Sequence, residues 1–244
     1  MGQTFLGGLL DLIYPVNCLL CRIHLLSSKP SHLGTILCPR CRQHIELNTP
    51  PFCLKCSRHL EGKFHPLCSS CRVFKPHFDQ GWSICLYNET MRHLIHLFKY
   101  GSRTALRHDF SQIILSFIKN YTLNLEAFDL IVPVPLSTTR LRERGYNQAE
   151  LLASAIAGQL KIPLIANNLI RTRHTLNQAR THRKDRWTNL KGAFRIKKSF
   201  YFSGKSILIV DDLLTTGATA SEAAYVLKQA GAGKVGVLTL AIAQ

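Results

Sequence analysis

Eight of the nine cysteines in this 244-residue sequence stand in four Cys-x-x-Cys pairs: Cys18 with Cys21, Cys38 with Cys41, Cys53 with Cys56 and Cys68 with Cys71. Two thiolates separated by two residues can turn back onto one ion. Two such knuckles complete the tetrahedral sulfur shell that Zn2+ favours. Intervals of 16 residues between the first two pairs and 11 between the last two suit zinc ribbon or treble-clef modules. Disulfides would demand an oxidising compartment, and a redox dithiol has no use for four copies. One or two structural zinc ions are therefore expected, with Cys85 left outside. Spacing leaves open whether the sites are sequential or cross-braced, with Cys18 and Cys21 joined to Cys53 and Cys56. A closed four-sulfur shell has no open coordination position, so its role is folding energy and a surface, not catalysis.

A second constellation lies near the other end. Residues 207–219 read Ile-Leu-Ile-Val-Asp-Asp-Leu-Leu-Thr-Thr-Gly-Ala-Thr: an apolar strand, two carboxylates, then a small-residue turn that opens a helix. Ligands of open parallel sheets sit at the carboxyl ends of strands, and helix N-termini offer free amides and a positive dipole to anions. Gly217 lets the backbone approach a phosphate, Ala218 keeps the turn small, and the hydroxyls of Thr215, Thr216 and Thr219 are further donors. Asp211 and Asp212 have the wrong sign for phosphate and need hydroxyls or a metal to meet. A ribose diol beside a 5-phosphate satisfies both halves of the segment. Neither the Gly-Lys-Thr of a Walker A loop nor a Gly-x-Gly-x-x-Gly sequence is present.

These residues need a scaffold, and the apolar patterning supplies one. Short buried strands are expected at residues 82–87, 128–135, 205–210 and 235–243. Helices are expected at 90–100, 104–121, 147–160 and 219–230, with a polar loop over 136–145. Strands that are apolar on both faces and alternate with helices indicate a mostly parallel sheet covered on both sides, an α/β class. The expected division is a Cys-rich zinc-binding module at 1–77 and an α/β domain at 78–244. A short amphipathic helix at 5–14 is expected to pack on its own domain.

Residues 207–219 resemble the signature of the type I phosphoribosyltransferases. That resemblance implies that Asp211 and Asp212 hold the ribose hydroxyls of phosphoribosyl pyrophosphate. It also implies that Thr215, Thr216, Gly217, Ala218 and Thr219 cradle the 5-phosphate, with Mg2+ accompanying the ligand. Val132-Pro133-Val134-Pro135, Arg142-Glu143-Arg144-Gly145-Tyr146-Asn147-Gln148-Ala149, Lys99-Tyr100-Gly101 and the four cysteine pairs look like the ComF proteins across essentially the whole chain. By the same resemblance, Leu136 and Ser137, in the loop running to Thr139, meet the pyrophosphate, and Arg140, Arg142 and Arg144 supply cations nearby. The basic segment 171–189, with Asn177-Gln178-Ala179-Arg180, Arg183, Arg186 and Trp187, stands where such folds carry a flexible loop.

Charge points to a polyanion. The net charge is +17, and residues 171–198 hold ten Lys or Arg against the single acid Asp185. Clustered cations gain affinity for nucleic acid by releasing its counterions, and single strands are gripped by basic grooves with stacking platforms. The candidate contacts are Lys99, Arg140, Arg142, Arg144, Arg171, Arg173, Arg180, Arg183, Lys184 and Arg186. Arg22, Arg40, Arg42, Lys55, Arg58, Lys63 and Arg72 among the cysteines are further candidates. No stretch reaches the roughly 18 apolar residues of a membrane helix, and the first residues do not read as a signal peptide, so the expected compartment is the cytoplasm. The resemblance implies a part in natural transformation, with single-stranded DNA, phosphoribosyl pyrophosphate and other DNA-uptake or recombination proteins as partners. Two alternatives stand beside it: a working phosphoribosyltransferase of nucleotide metabolism, and a module that senses phosphoribosyl pyrophosphate. No segment identifies a base-selecting hood, which leaves transferase activity and any catalytic residue unassigned.

Overall fold

Strand β5 (Ser206–Leu214) has to be buried on both faces, and the rest of the chain is arranged to do so. The computed structural model describes residues 17–25, 36–62, 65–172 and 183–243, without the side chains of Arg183 and Lys184. The expected helix at 5–14, Lys63, Arg173 and the segment holding Arg180 lie outside the described residues. Four strands form one parallel sheet: β1 (Gln80–Leu86), β2 (Leu130–Pro133), β5 and β6 (Lys234–Ile242), in the order β1-β6-β5-β2. Side chains alternate faces along a strand. Leu208, Val210, Leu238 and Leu240 therefore enter one core, while Ile207, Ile209, Val235 and Val237 enter the other.

The first core is covered by helices that end up where the apolar spacing puts them. They are α3 (Glu89–Tyr100), α4 (Leu106–Asn120) and α6 (Gln148–Leu160). Helix α3 starts at Asn88, whose side chain accepts from the Met91 amide, and buries Met91, Leu94, Ile95 and Phe98 along one stripe. Helix α6 is capped in the same way by Asn147 and packs on β2 and β5. The second core is covered by α8 (Ala218–Gln229), whose buried face is alanine-rich and so lies close to the sheet.

Three differences from the sequence expectation matter for function. Residues 136–145 are not simply a loop, because Thr138–Arg144 form helix α5. It buries none of its residues, so no apolar period announced it. It stands on its caps, with Ser137 Oγ accepting from the Arg140 amide and Gly145 closing the turn at φ 76°. Strand β5 also does not stop at the acids but continues through them to Leu214, paired with β6. Finally, β3 (Leu169–Arg171) and β4 (Phe194–Ile196) form a separate antiparallel pair inside the basic region, followed in β4's case by a 3-10 turn, Ser199–Tyr201.

The Cys-rich part extends the sheet at its β1 edge. The Asn48 amide donates to Ile84 O at 2.8 Å and the Leu86 amide to Glu46 O at 2.9 Å. The buried Asn48 side chain ties this edge to Ser57 O (2.7 Å) and Ser83 O (3.1 Å). Helix α1 (Pro39–Gln43) is docked by Arg42, which donates to Asp109 Oδ1 at 2.7 Å and to Gln112 at 3.0 Å. The other oxygen of Asp109 accepts the Ile36 amide at 2.8 Å. Burial pushes the Asp109 carboxyl above its usual range, against the pull of these donors. Asp109→Ala leaves Arg42 and the Ile36 amide without their acceptor. A loss of about 3 kcal/mol is expected, the low end for breaking a buried pair because Arg42 is partly exposed, and urea unfolding monitored by far-UV dichroism measures it.

Candidate functional site

The cysteine pairs close sequentially. Cys18, Cys21, Cys38 and Cys41 form one group and Cys53, Cys56, Cys68 and Cys71 the other, and within each the sulfurs lie within 4.8 Å of one another. Adjacent sulfurs of different pairs, Cys21 with Cys38 and Cys56 with Cys68, are 3.6 Å apart. A tetrahedron with Zn–S arms of about 2.3 Å has edges of about 3.8 Å, so each group fits the ion. Backbone amides of Cys38 and Cys68 donate to Cys18 Sγ and Cys53 Sγ, both at 3.3 Å, as expected where thiolates need support. None of them is in a disulfide, and none except Cys21 is exposed. Cys85 is fully buried on β1 and belongs to neither group, and burial pushes its thiol up to about 12.

The acid pair and the small-residue turn stand at the carboxyl end of the sheet. Gly217 adopts φ 82° as the N-cap of α8, a conformation that favours glycine, and its Cβ position faces open space. The first amides of α8 are thereby turned toward the end of the sheet, and Thr216 Oγ1 accepts from Ala218. Strand β2 continues to Val134, whose amide donates to Val210 O one residue before Asp211. Leu136 and the buried N-cap Ser137 thus lead into α5 from the strand next to the acids.

The two carboxylates are not equivalent. Asp212 is buried and forms an ion pair with the Lys99 ammonium, delivered by the last turn of α3. Burial opposes the ionisation of Asp212, but Lys99 outweighs it and holds the carboxyl below its ordinary range. Lys99 is raised in return, mainly by Asp212 against its own burial. Asp211 goes the other way: burial and then the Asp212 charge push its carboxyl well above the usual range. Its Oδ1 accepts the Asp212 amide at 2.8 Å.

The basic residues separate into distinct sets. Arg171 stands in the field of the acids: lowered chiefly by burial and then by Arg140, it is drawn the other way by Asp211. Lys99 is spent on Asp212, so its charge faces the interior. Arg144 stacks over Tyr100 at 4.7 Å and donates to its hydroxyl at 2.9 Å. Arg142 is exposed on α5, and Arg183, Lys184 and Arg186 belong to α7 (Arg183–Asn189). Within the cysteine region Arg42 is committed to Asp109, while Arg22, Arg40 and Arg72 are exposed.

Arg58 has a different task, which sequence reasoning missed. Its guanidinium donates to Thr215 O at 3.1 Å and to Ala243 O at 2.6 Å. It follows Cys56 by two residues, so the second sulfur group holds the start of the Thr-Thr-Gly turn. Trp187 of α7 stacks on Phe74 of α2 (Ser69–Phe74) at 5.0 Å with ring planes within 4° of parallel, and borders the same narrow cavity as Cys71, Thr215 and Gly217. Only an Arg two places past a Cys pair hinted at this, and it read as one more surface cation.

Two consequences are measurable. Cys18→Ser and Cys56→Ser should each reduce zinc by one ion per chain in elemental analysis, because the groups share no ligand. Arg58→Ala should keep both ions yet accelerate amide exchange at residues 215–219 several-fold. Unchanged exchange there would mean that the turn holds itself.

The double zinc ribbon domain family matches residues 9–72, and the phosphoribosyl transferase domain family matches residues 146–243. The chain is 33% identical to Competence protein F of Haemophilus influenzae over 174 residues, covering 70% of this chain and 76% of that protein. It is 34% identical to DNA utilization protein YhgH of Escherichia coli K12 over 156 residues, 63% of this chain and 68% of the relative. It is 33% identical to Competence protein ComFC of Bacillus subtilis over 166 residues, 66% of this chain and 63% of the relative. With a zinc ribbon pair in front of a phosphoribosyltransferase-type sheet, the chain belongs to the competence protein F family.

Proposed function

We propose that this protein binds phosphoribosyl pyrophosphate, with Mg2+, at the carboxyl end of its sheet and binds single-stranded DNA through its basic surfaces in the service of DNA uptake. The observation that carries the ligand half is the half-buried Asp211 in the field of Arg171, which Arg140 also approaches, a few residues before the Gly217 turn. Hydroxyls, pyrophosphate and 5-phosphate each meet a group of suitable sign in one place. The DNA half is supported by the +17 charge, by the exposed arginines and by the competence and DNA-utilization names of the relatives.

Magnitudes assign the two acids different jobs. Stripping the buried Lys99 of its partner costs about 3–5 kcal/mol, whereas hydrogen bonds from a ribose diol return about 0.5–1.5 kcal/mol each. The ligand therefore uses Asp211, and Asp212 stays with Lys99 as an internal anchor. Asp211→Asn should weaken Mg-phosphoribosyl pyrophosphate at least tenfold in calorimetry with little change in melting temperature. Asp212→Asn should lower the melting temperature, because it strands the ammonium.

The sign of the pH effect follows from the raised Asp211. A ligand that needs the carboxylate must displace a proton at any pH below the raised value. Affinity should therefore rise with pH from the ordinary Asp range of about 3.9 upward, levelling off only past the folded value, with protons released on binding. Calorimetry in buffers of different ionisation enthalpy reads that release; a flat pH profile together with no proton release would exclude Asp211 as the contact. For the DNA half, anisotropy of a labelled single strand should show affinity falling steeply with salt, and its absence at moderate salt would remove that half.

A further inference from the structure

Between β4 and β5 the chain presents two aromatic rings to solvent. Phe200 is 68% exposed and Tyr201 44%, and their ring centroids are 4.3 Å apart with planes tilted by 30°. The next residue, Phe202, is 0% exposed and roots the turn in the second core. The base of the turn is fixed as well. The buried Asn168 accepts from the Lys198 amide at 2.8 Å and donates to Lys198 O at 2.9 Å, and the Gly204 amide bonds Gly231 O at 2.8 Å. The rings are therefore displayed on a rigid mount, and single exposed apolar residues, which need no explanation, are not a parallel case.

The surroundings select the occupant. Residues 191–206 hold Lys191, Arg195, Lys197, Lys198 and Lys205 and no acid, and all five cations are exposed. Two acids meet this stretch: the exposed Asp129, which accepts the Ser206 amide and lies 3.8 Å from Lys205, and Glu222, which accepts the Gly192 amide at 2.6 Å. A protein partner covering two rings would also have to bury or neutralise those cations. A single strand brings bases for the rings and phosphates for the lysines in one ligand. We infer that Phe200 and Tyr201 form a stacking platform for unpaired bases of single-stranded nucleic acid, with Arg195, Lys197, Lys198 and Lys205 holding its backbone. This inference rests on the DNA-binding half of the proposed function and adds to it a place.

The platform lies before the first residue of β5, and the Thr-Thr-Gly turn lies beyond the last. The eight steps from the first to the last of its nine residues, at about 3.3 Å each, separate them by roughly 26 Å. A strand on the platform and a phosphoribosyl ligand at the far end of the sheet therefore do not compete.

The test compares a labelled twelve-nucleotide oligothymidylate with an abasic strand of the same length, bound to the full chain in anisotropy. Phe200→Ala with Tyr201→Ala should weaken the oligothymidylate about tenfold and leave the abasic strand unchanged. Phe200→Leu with Tyr201→Leu, which keeps apolar bulk but no ring, should lose as much. Saturating Mg-phosphoribosyl pyrophosphate should not displace either strand. Equal oligothymidylate affinity in wild type and both variants would overturn the platform while leaving DNA binding in place. Failure of the wild type to bind at all would sink the DNA reading itself. A change in sedimentation of the variants without loss of DNA affinity would identify the rings as a contact between copies of this chain, which also overturns the platform.

Discussion

A sheet buried on both faces has no ready place for charge, yet its central strand carries two consecutive aspartates. The Lys99–Asp212 pair resolves that conflict, and much of the molecule follows from it. The ammonium must come from a helix that ends over the carboxyl edge of β5, which fixes where α3 stops. Gly101 makes that stop possible, since a Cβ there would meet Leu97 O at 2.9 Å. Tyr100, between Lys99 and Gly101, receives Arg144, and the Tyr146 hydroxyl donates to Phe98 O, so the loop entering α6 is set by the same helix end. Asp212 stays ionised beside Lys99, and burial together with that negative charge disfavours ionisation of Asp211, which is the usual way a site acquires a displaced titration.

The two sulfur groups do unequal work. Short Cys-rich segments cannot bury enough surface to fold alone, and a bound ion supplies what the core lacks. The first group leans on α4 through Arg42 and Asp109, remote from the acids. The second abuts the turn that follows them, through Arg58 and the Phe74–Trp187 stack. The second sulfur group is thus built into the wall of the narrow cavity beside the Thr-Thr-Gly turn.

Much of this was legible in the residues, because it depended on local or periodic signals. The cysteine intervals, the apolar strands and the stripe Met91, Leu94, Ile95, Phe98 are readable one segment at a time. The acid pair and the Gly217 turn are readable because strand, charge and small residues coincide. What stayed hidden were relations between distant segments. That Lys99 meets Asp212, or Arg58 meets Thr215, is a property of the folded topology, and an arginine destined for a backbone carbonyl looks like any surface arginine. Helix α5 was missed for a different reason, since it buries nothing and exists through its caps. Sequential closure of the sulfur groups was equally beyond spacing, since both pairings satisfy the same chemistry.

Cys85 stands apart from the other eight cysteines in more than number. It is sealed within β1 and its thiol is held at about 12, so it is almost wholly unreactive while the sheet is intact. The eight sulfurs of the two groups answer to loss of metal, whereas this ninth answers to opening of the core in which it is buried. The chain therefore carries its own pair of chemical clocks, one for release of its ions and one for unfolding of its core, distinguishable by which cysteine a thiol reagent reaches first.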